Sequence, residues 1–117
     1  MITQYDVPSL LKEELPCFTD NLYPAHVMVT VYKSVHDFAN YTRSAIQDHQ
    51  LMVVKKCFRL AEQLYRYGDN VVRMCIENIY VYSFTSFMPD DRVEKLILQS
   101  FIPSTLNTLY IKQVSAF

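Results

Sequence analysis

Three histidines, three cysteines and a scatter of helix-borne carboxylates are the groups in this chain that could do chemistry, and their spacing decides which chemistry. His26 and His36 stand ten residues apart on one predicted helix, so they share a face but lie about 15 Å apart along the axis, too far to hold one metal. His49 falls in a break between helices, and no HExxH pattern occurs. Cys17, Cys57 and Cys75 are odd in number and widely spaced, with no CxxC and no histidine at ligand spacing, which predicts reduced thiols used as small apolar side chains. Cys57 and Cys75 fall on or beside apolar stripes, where a desolvated thiol is inert.

Acid–base work needs two carboxylates brought together from different helices, and Asp37, Glu62 and Glu77 are the helix-interior candidates. Glu62 precedes Arg66 by four residues and Arg73 precedes Glu77 by four, spacings that predict solvated surface ion pairs. Asp37, four residues before Tyr41, is the acid left over. No serine stands in a GxSxG turn, and a chain with one glycine cannot build one. The residues therefore predict no catalytic set, no metal site and no cofactor.

Binding surfaces are the alternative use of the polar residues. Lys55, Lys56, Arg59 and Arg66 form a basic strip interrupted by Glu62, but 11 Lys and Arg against 12 Asp and Glu leave a formal charge of −1. That balance argues against a nucleic-acid partner and for a protein one. Nine Tyr and seven Phe without Trp exceed the usual needs of a small core. Tyr32, Tyr41, Tyr65, Tyr67, Tyr80 and Tyr82 are expected at its edge, where they suit an interface. The contact candidates are Asp37, Tyr41, Arg59, Glu62 and Arg66.

The elements that position these groups are helices. A chain of 117 residues, half apolar and a fifth charged, is one ordinary globular domain. Residues 1–14 hold no apolar run of signal length, and no stretch is long and apolar enough to span a bilayer, which predicts a cytoplasmic protein that does not enter membranes. Pro8 opens a short helix to about residue 15, stopped by Pro16, and residues 17–23 are an irregular connection. Residues 1–23 thus precede a helical core over 24–117. Pro24 begins a long helix to residue 48, whose Val27, Val31, Val35, Phe38, Thr42 and Ile46 share one face. Its early stretch is rich in β-branched residues, yet the apolar positions do not alternate as a strand requires.

Asp48-His49-Gln50 breaks that helix. The next runs over 50–67 and is striped by Leu51, Val54, Phe58, Ala61 and Tyr65, flanked by Cys57 and Leu64. Gly68, the sole glycine, is expected to take positive φ and end this helix, with Asp69 capping the next. The fourth helix would turn Val72, Cys75, Ile76, Ile79 and Tyr82 or Ser83 inward and, as the least polar of the long ones, stand at the centre. Asp90 caps a fifth helix carrying Val93, Leu96, Ile97 and Phe101, and Pro103 opens a sixth with Leu106, Leu109, Tyr110 and Val114. The expectation is a single all-α domain of five to six helices, an antiparallel bundle or stacked helical hairpins.

Several of these positions also form a pattern. Phe38-Ala39-Asn40-Tyr41-Thr42, Cys57-Phe58 with Ala61 and Leu64, the Gly68-Asp69 corner, and Pro103 with Leu106, Leu109 and Tyr110 resemble a family of small uncharacterised bacterial all-helical proteins. Its motifs are an FA-x-YT helix, a CF-x-x-A-x-x-L helix, a GD corner and a closing P-x-x-L-x-x-LY element. The resemblance spans residues 30–112. Members carry a Glu within the Tyr-rich fourth helix that the run Ile79-Tyr80-Val81-Tyr82-Ser83-Phe84 lacks, so no role for that acid transfers. The resemblance implies no established activity. By class it points to immunity-like proteins that neutralise a toxin. The expected function is a non-enzymatic protein-binding module. A small-molecule-binding or enzymatic helical domain with a Tyr-lined pocket and Asp37 as its polar group is the alternative, and a homo-oligomer built on exposed aromatics a third.

Overall fold

The computed structural model describes residues 1–15 and 31–115. Among them, six helical rods form an all-α domain. α1 (Val7–Glu14), α2 (Val31–Gln47) and α3 (Leu51–Tyr67) lead into a fourth rod made of α4 (Asn70–Cys75), a π turn (Ile76–Tyr80), a 3₁₀ turn (Val81–Ser83) and α5 (Phe84–Phe87). α6 (Arg92–Phe101) and α7 (Ser104–Ser115) complete the chain order. The connection expected over 17–23 and the Pro24 helix start, with Cys17, His26 and Val27, lie outside the described residues.

The stripes read from the sequence bury as helical spacing demands in α2 and α3. Val31, Val35, Phe38, Thr42 and Ile46 are inside on α2, and Val54, Cys57, Phe58, Ala61 and Leu64 on α3. Leu51, at the first position of α3, stays 41% exposed. Between the two helices His49 N donates to Ile46 O (3.1 Å) and Gln50 N to Ala45 O (2.9 Å), the paired bonds of a Schellman ending. The left-handed residue that this ending requires is His49, at φ 57°.

Gly68 does something else. Its φ of −79° and ψ of 158° are extended, so the expected positive φ is wrong. Glycine is needed there for space: a Cβ would run into the Leu64 carbonyl oxygen and come within 2.6 Å of Val72 Cγ1. The extended corner also pairs with the start of the chain. Ile2 N donates to Tyr67 O (2.6 Å) and Asp69 N to Ile2 O (2.8 Å), an isolated parallel bridge around Gly68. Asp69 caps α4 as expected, its Oδ1 accepting from Val72 N at 2.9 Å, and its Oδ2 accepts from Gln4 N at 3.2 Å.

The fourth rod is central, packing on α2 and α3 through its π turn and on α7 through its 3₁₀ turn. Its inward face departs from expectation in the second half. Val72, Cys75 and Ile76 are buried, but then Tyr80, Val81, Phe84 and Phe87 follow, while Tyr82 is 68% exposed. The wide π turn inserts one residue, and one residue of an α-helix is about 100° of rotation. Tyr80 stacks on Phe38 with ring centroids 4.5 Å apart and meets the edges of Phe84 and Phe87.

α6 is a second correction. Asp91, not Asp90, caps it, accepting from Glu94 N at 3.1 Å. Of its expected stripe only Phe101 is half-buried; Leu98 is the one fully covered side chain of the helix, and Val93, Leu96 and Ile97 are 64%, 59% and 40% exposed.

Candidate functional site

The π turn decides where polar groups gather. Widening the helix frees carbonyls from their usual partners, and the accounting for them is local. Ser83 Oγ donates to Ile79 O at 2.7 Å, while Gln113 Nε2 of α7 reaches across to donate to Glu77 O at 2.7 Å. These bonds hold α7 against the rod and leave a groove of about 850 Å³ between α7, the rod and α2. Ile79, Val81, Tyr82, Tyr110 and Val114 supply its apolar wall. His36, Arg43, Asn78, Ser83, Ser86 and Gln113 supply the polar groups, and no described Asp or Glu lines it.

Arg43 is half-buried at this groove and held from several sides. Nη2 donates to Ser86 Oγ at 2.9 Å, Nη1 to Asn40 Oδ1 at 3.3 Å, and the guanidinium carbon lies 5.9 Å from the centroid of Phe87. Its Nε is buried without a hydrogen-bond partner. The described ion pairs are Lys33–Asp37 (3.8 Å) and His49–Glu94 (3.3 Å), so no described carboxylate neutralises Arg43.

On the other flank of α7 a shallower groove of about 580 Å³ opens against α6. Leu96, Ile102, Ile111 and Val114 line it, with Ile111 56% and Val114 52% exposed. Tyr110 and Val114 line both grooves.

Beneath the first groove lies a buried polar cluster. Thr42 Oγ1 donates its one proton to Phe38 O at 3.0 Å, so the Tyr80 hydroxyl, 2.9 Å away, must donate to Thr42. Burial raises the Tyr80 hydroxyl well above the usual phenol range, with the nearby Cys57 adding to it and the Thr42 bond opposing it. Burial likewise pushes the Cys57 thiol to about 11, and it raises Cys75. These are satisfied core groups, and Cys57 and Cys75 are protonated, unreactive thiols at neutral pH.

The five residues singled out for contact are not brought together in any of the grooves described among these residues. Asp37 and Tyr41 stand on α2, both half-buried, and Asp37 is paired with Lys33. Arg59, Glu62 and Arg66 stand on α3, and Arg59 lines a groove together with Glu14, Lys55 and Lys56. The expected Glu62–Arg66 and Arg73–Glu77 pairs are replaced by aromatic contacts: Arg66 lies 5.9 Å from the Tyr67 ring and Arg73 5.0 Å from the Tyr65 ring. Asp37 is not among the residues lining the Tyr-walled groove, so that groove's charged group is Arg43.

Arg43 is not among the sequence candidates, yet it carries a signal: no acidic residue lies within four positions of it on its helix. Gln113 and Asn78 carried none, since their role follows from the π turn. Among the described residues no group of three His, Cys, Asp or Glu side chains could hold a metal ion, and no described helix is long and apolar enough to cross a membrane. Residues 8–116 match the family model described as a domain of unknown function (DUF7674). No curated protein and no solved structure gives a match.

Proposed function

The match covers nearly the whole chain, so the protein belongs to the DUF7674 family, and from that premise we propose that it is a non-enzymatic protein-binding domain. The observation that carries this is the outer face of α6 and α7. Leu96 meets Ile111 and Val114 across a groove, Val93 stands at helical spacing from Leu96 and Ile97 on α6, and all five are 40% exposed or more. An apolar groove flanked by further exposed apolar side chains is costly to leave in water and suits the apolar face of a partner helix. The charged positions Arg59, Glu62 and Arg66 on α3, with Asp37 and Tyr41 on α2, belong to the same proposal as polar contacts that would set specificity rather than affinity. An immunity-like role, in which the domain occludes a toxin in the cytoplasm, is the narrower form of the proposal and rests on class resemblance alone.

The test places a photo-crosslinking residue at Leu96, and in a separate protein at Met74, 57% exposed on α4 and outside every proposed contact, in native cells. The expected result is a discrete protein adduct from Leu96 that Ile111→Asp abolishes while the fold is retained. A chain that stays monomeric and gives the same background from both positions would refute the proposal. Adducts only between copies of the chain would replace the partner by self-association.

A further inference from the structure

We propose that the groove between α2, the π turn and α7 binds a small organic oxyanion, a carboxylate or phosphate head on an apolar or aromatic body, with Arg43 holding the head. This site is separate from the α6–α7 face and does not rest on the protein-binding proposal.

Charge is the first support. Arg43 is half-buried, it has no described carboxylate within ion-pair distance, and the described lining of the groove holds Arg43 and His36 but no acid. A partly desolvated guanidinium without a counter-charge favours an anion more than an exposed one does, because the surrounding dielectric is lower. The second support is orientation. Ser86 Oγ and Asn40 Oδ1 each take one N–H from a different terminal nitrogen and so fix the guanidinium plane. One N–H on each of those nitrogens is left over to donate to an oxyanion. Preorganisation of this kind removes an ordering cost from binding.

The rest of the lining says what the head is attached to. Tyr82, 68% exposed, stands with Ile79, Tyr110 and Val114 as a wall for an apolar or aromatic body. Asn78 and Gln113 place amides at the same groove. Gln113 is already committed to Glu77 O, so it serves as wall and latch and not as a primary contact. About 850 Å³ is the size of a small-molecule cleft.

The experiment is an amide-resolved NMR titration of the chain with phenyl phosphate, phenylacetate and inorganic phosphate. Saturable shifts confined to residues 78–86, Arg43 and the neighbourhood of Gln113 are expected, with the aromatic compounds binding more tightly than inorganic phosphate. Whichever aromatic compound binds more tightly identifies the head as phosphate or carboxylate. Arg43→Gln should weaken binding about tenfold or more, whereas Arg92→Gln, on exposed α6, should not change it. Tyr82→Glu, a substitution at an exposed position, should weaken it comparably by placing a carboxylate in the groove, which keeps the test valid if Arg43→Gln does not fold. Absence of saturation, shifts centred on the α3 lysines, or equal losses from Arg43→Gln and Arg92→Gln would each overturn the site.

Discussion

Replacing Gly68 by alanine separates two reasons for a glycine by the sign of one number. If the position were held only by convention, alanine at this ordinary extended φ would stabilise the protein by about 0.4–1 kcal/mol, by narrowing the unfolded ensemble. The structure argues for the opposite sign. The new Cβ would overlap the Leu64 carbonyl and approach Val72 Cγ1 to 2.6 Å and Val72 Cβ to 2.8 Å, and two of those three atoms cannot move away as a side-chain tip can. Overpacking of this kind costs about 1–3 kcal/mol. Relief by backbone movement would disturb the Ile2 bonds on either side of Gly68, each worth about 1 kcal/mol. Subtracting the unfolded-state gain leaves a net loss of about 2 kcal/mol for Gly68→Ala. Urea unfolding followed by circular dichroism measures it, with the slope checked for constancy. In a Val72→Ala background the approach to Cγ1 disappears while those to Cβ and to the Leu64 carbonyl remain, so the same substitution should cost less, by about 0.5 kcal/mol. A Gly68→Ala protein as stable as the parent, or more so, would refute the steric account of this corner.

His49→Gly is expected to stabilise the fold by about 1 kcal/mol, because φ 57° strains an ordinary residue and the exposed His49–Glu94 pair contributes little; thermal unfolding would show a raised midpoint. Thr42→Val should cost about 1–3 kcal/mol by stranding the buried Tyr80 hydroxyl, and adding Tyr80→Phe should recover part of it, as read by a double-mutant cycle. Cys57 gives an alkaline signature. Its thiol ionises near its ordinary value when unfolded and only at about 11 when folded, so the unfolded state releases its proton first and stability falls between those values. Urea midpoints measured across that range should fall less steeply in Cys57→Ala than in the parent.

How much could be read in advance depended on whether a feature is local. The α2 and α3 stripes were legible because Val35, Phe38 and Thr42, or Val54, Phe58 and Ala61, repeat at spacings only a helix can bury together. The Asp69 cap was legible for the same reason, since its partner is Val72 three residues on. Gly68 was placed at the right corner with the wrong conformation, because its neighbour Ile2 is far away in sequence and nothing near it announces a parallel bridge. Left-handed geometry went instead to His49, where a short helix-to-helix turn overrides residue preference. The stripe on α6 was read as apolar, and Val93, Leu96 and Ile97 stay exposed, for a pattern shows which face is apolar and not what covers it. The groove at Arg43 was hidden most deeply, since Asn78, Ser86 and Gln113 converge only after the rod has been widened.

That widening has an effect on how the chain can vary. The fourth rod is one continuous helix with two apolar faces out of phase by about 100°, a splice between two patterns. Removing a single residue from Ile76–Tyr80 would restore ordinary pitch, swing Tyr80, Phe84 and Phe87 off the aromatic cluster together, and leave α4 where it is. A length change here therefore acts on half a domain at once, whereas a substitution acts on one side chain. Among relatives, the segment should keep its length more strictly than its letters.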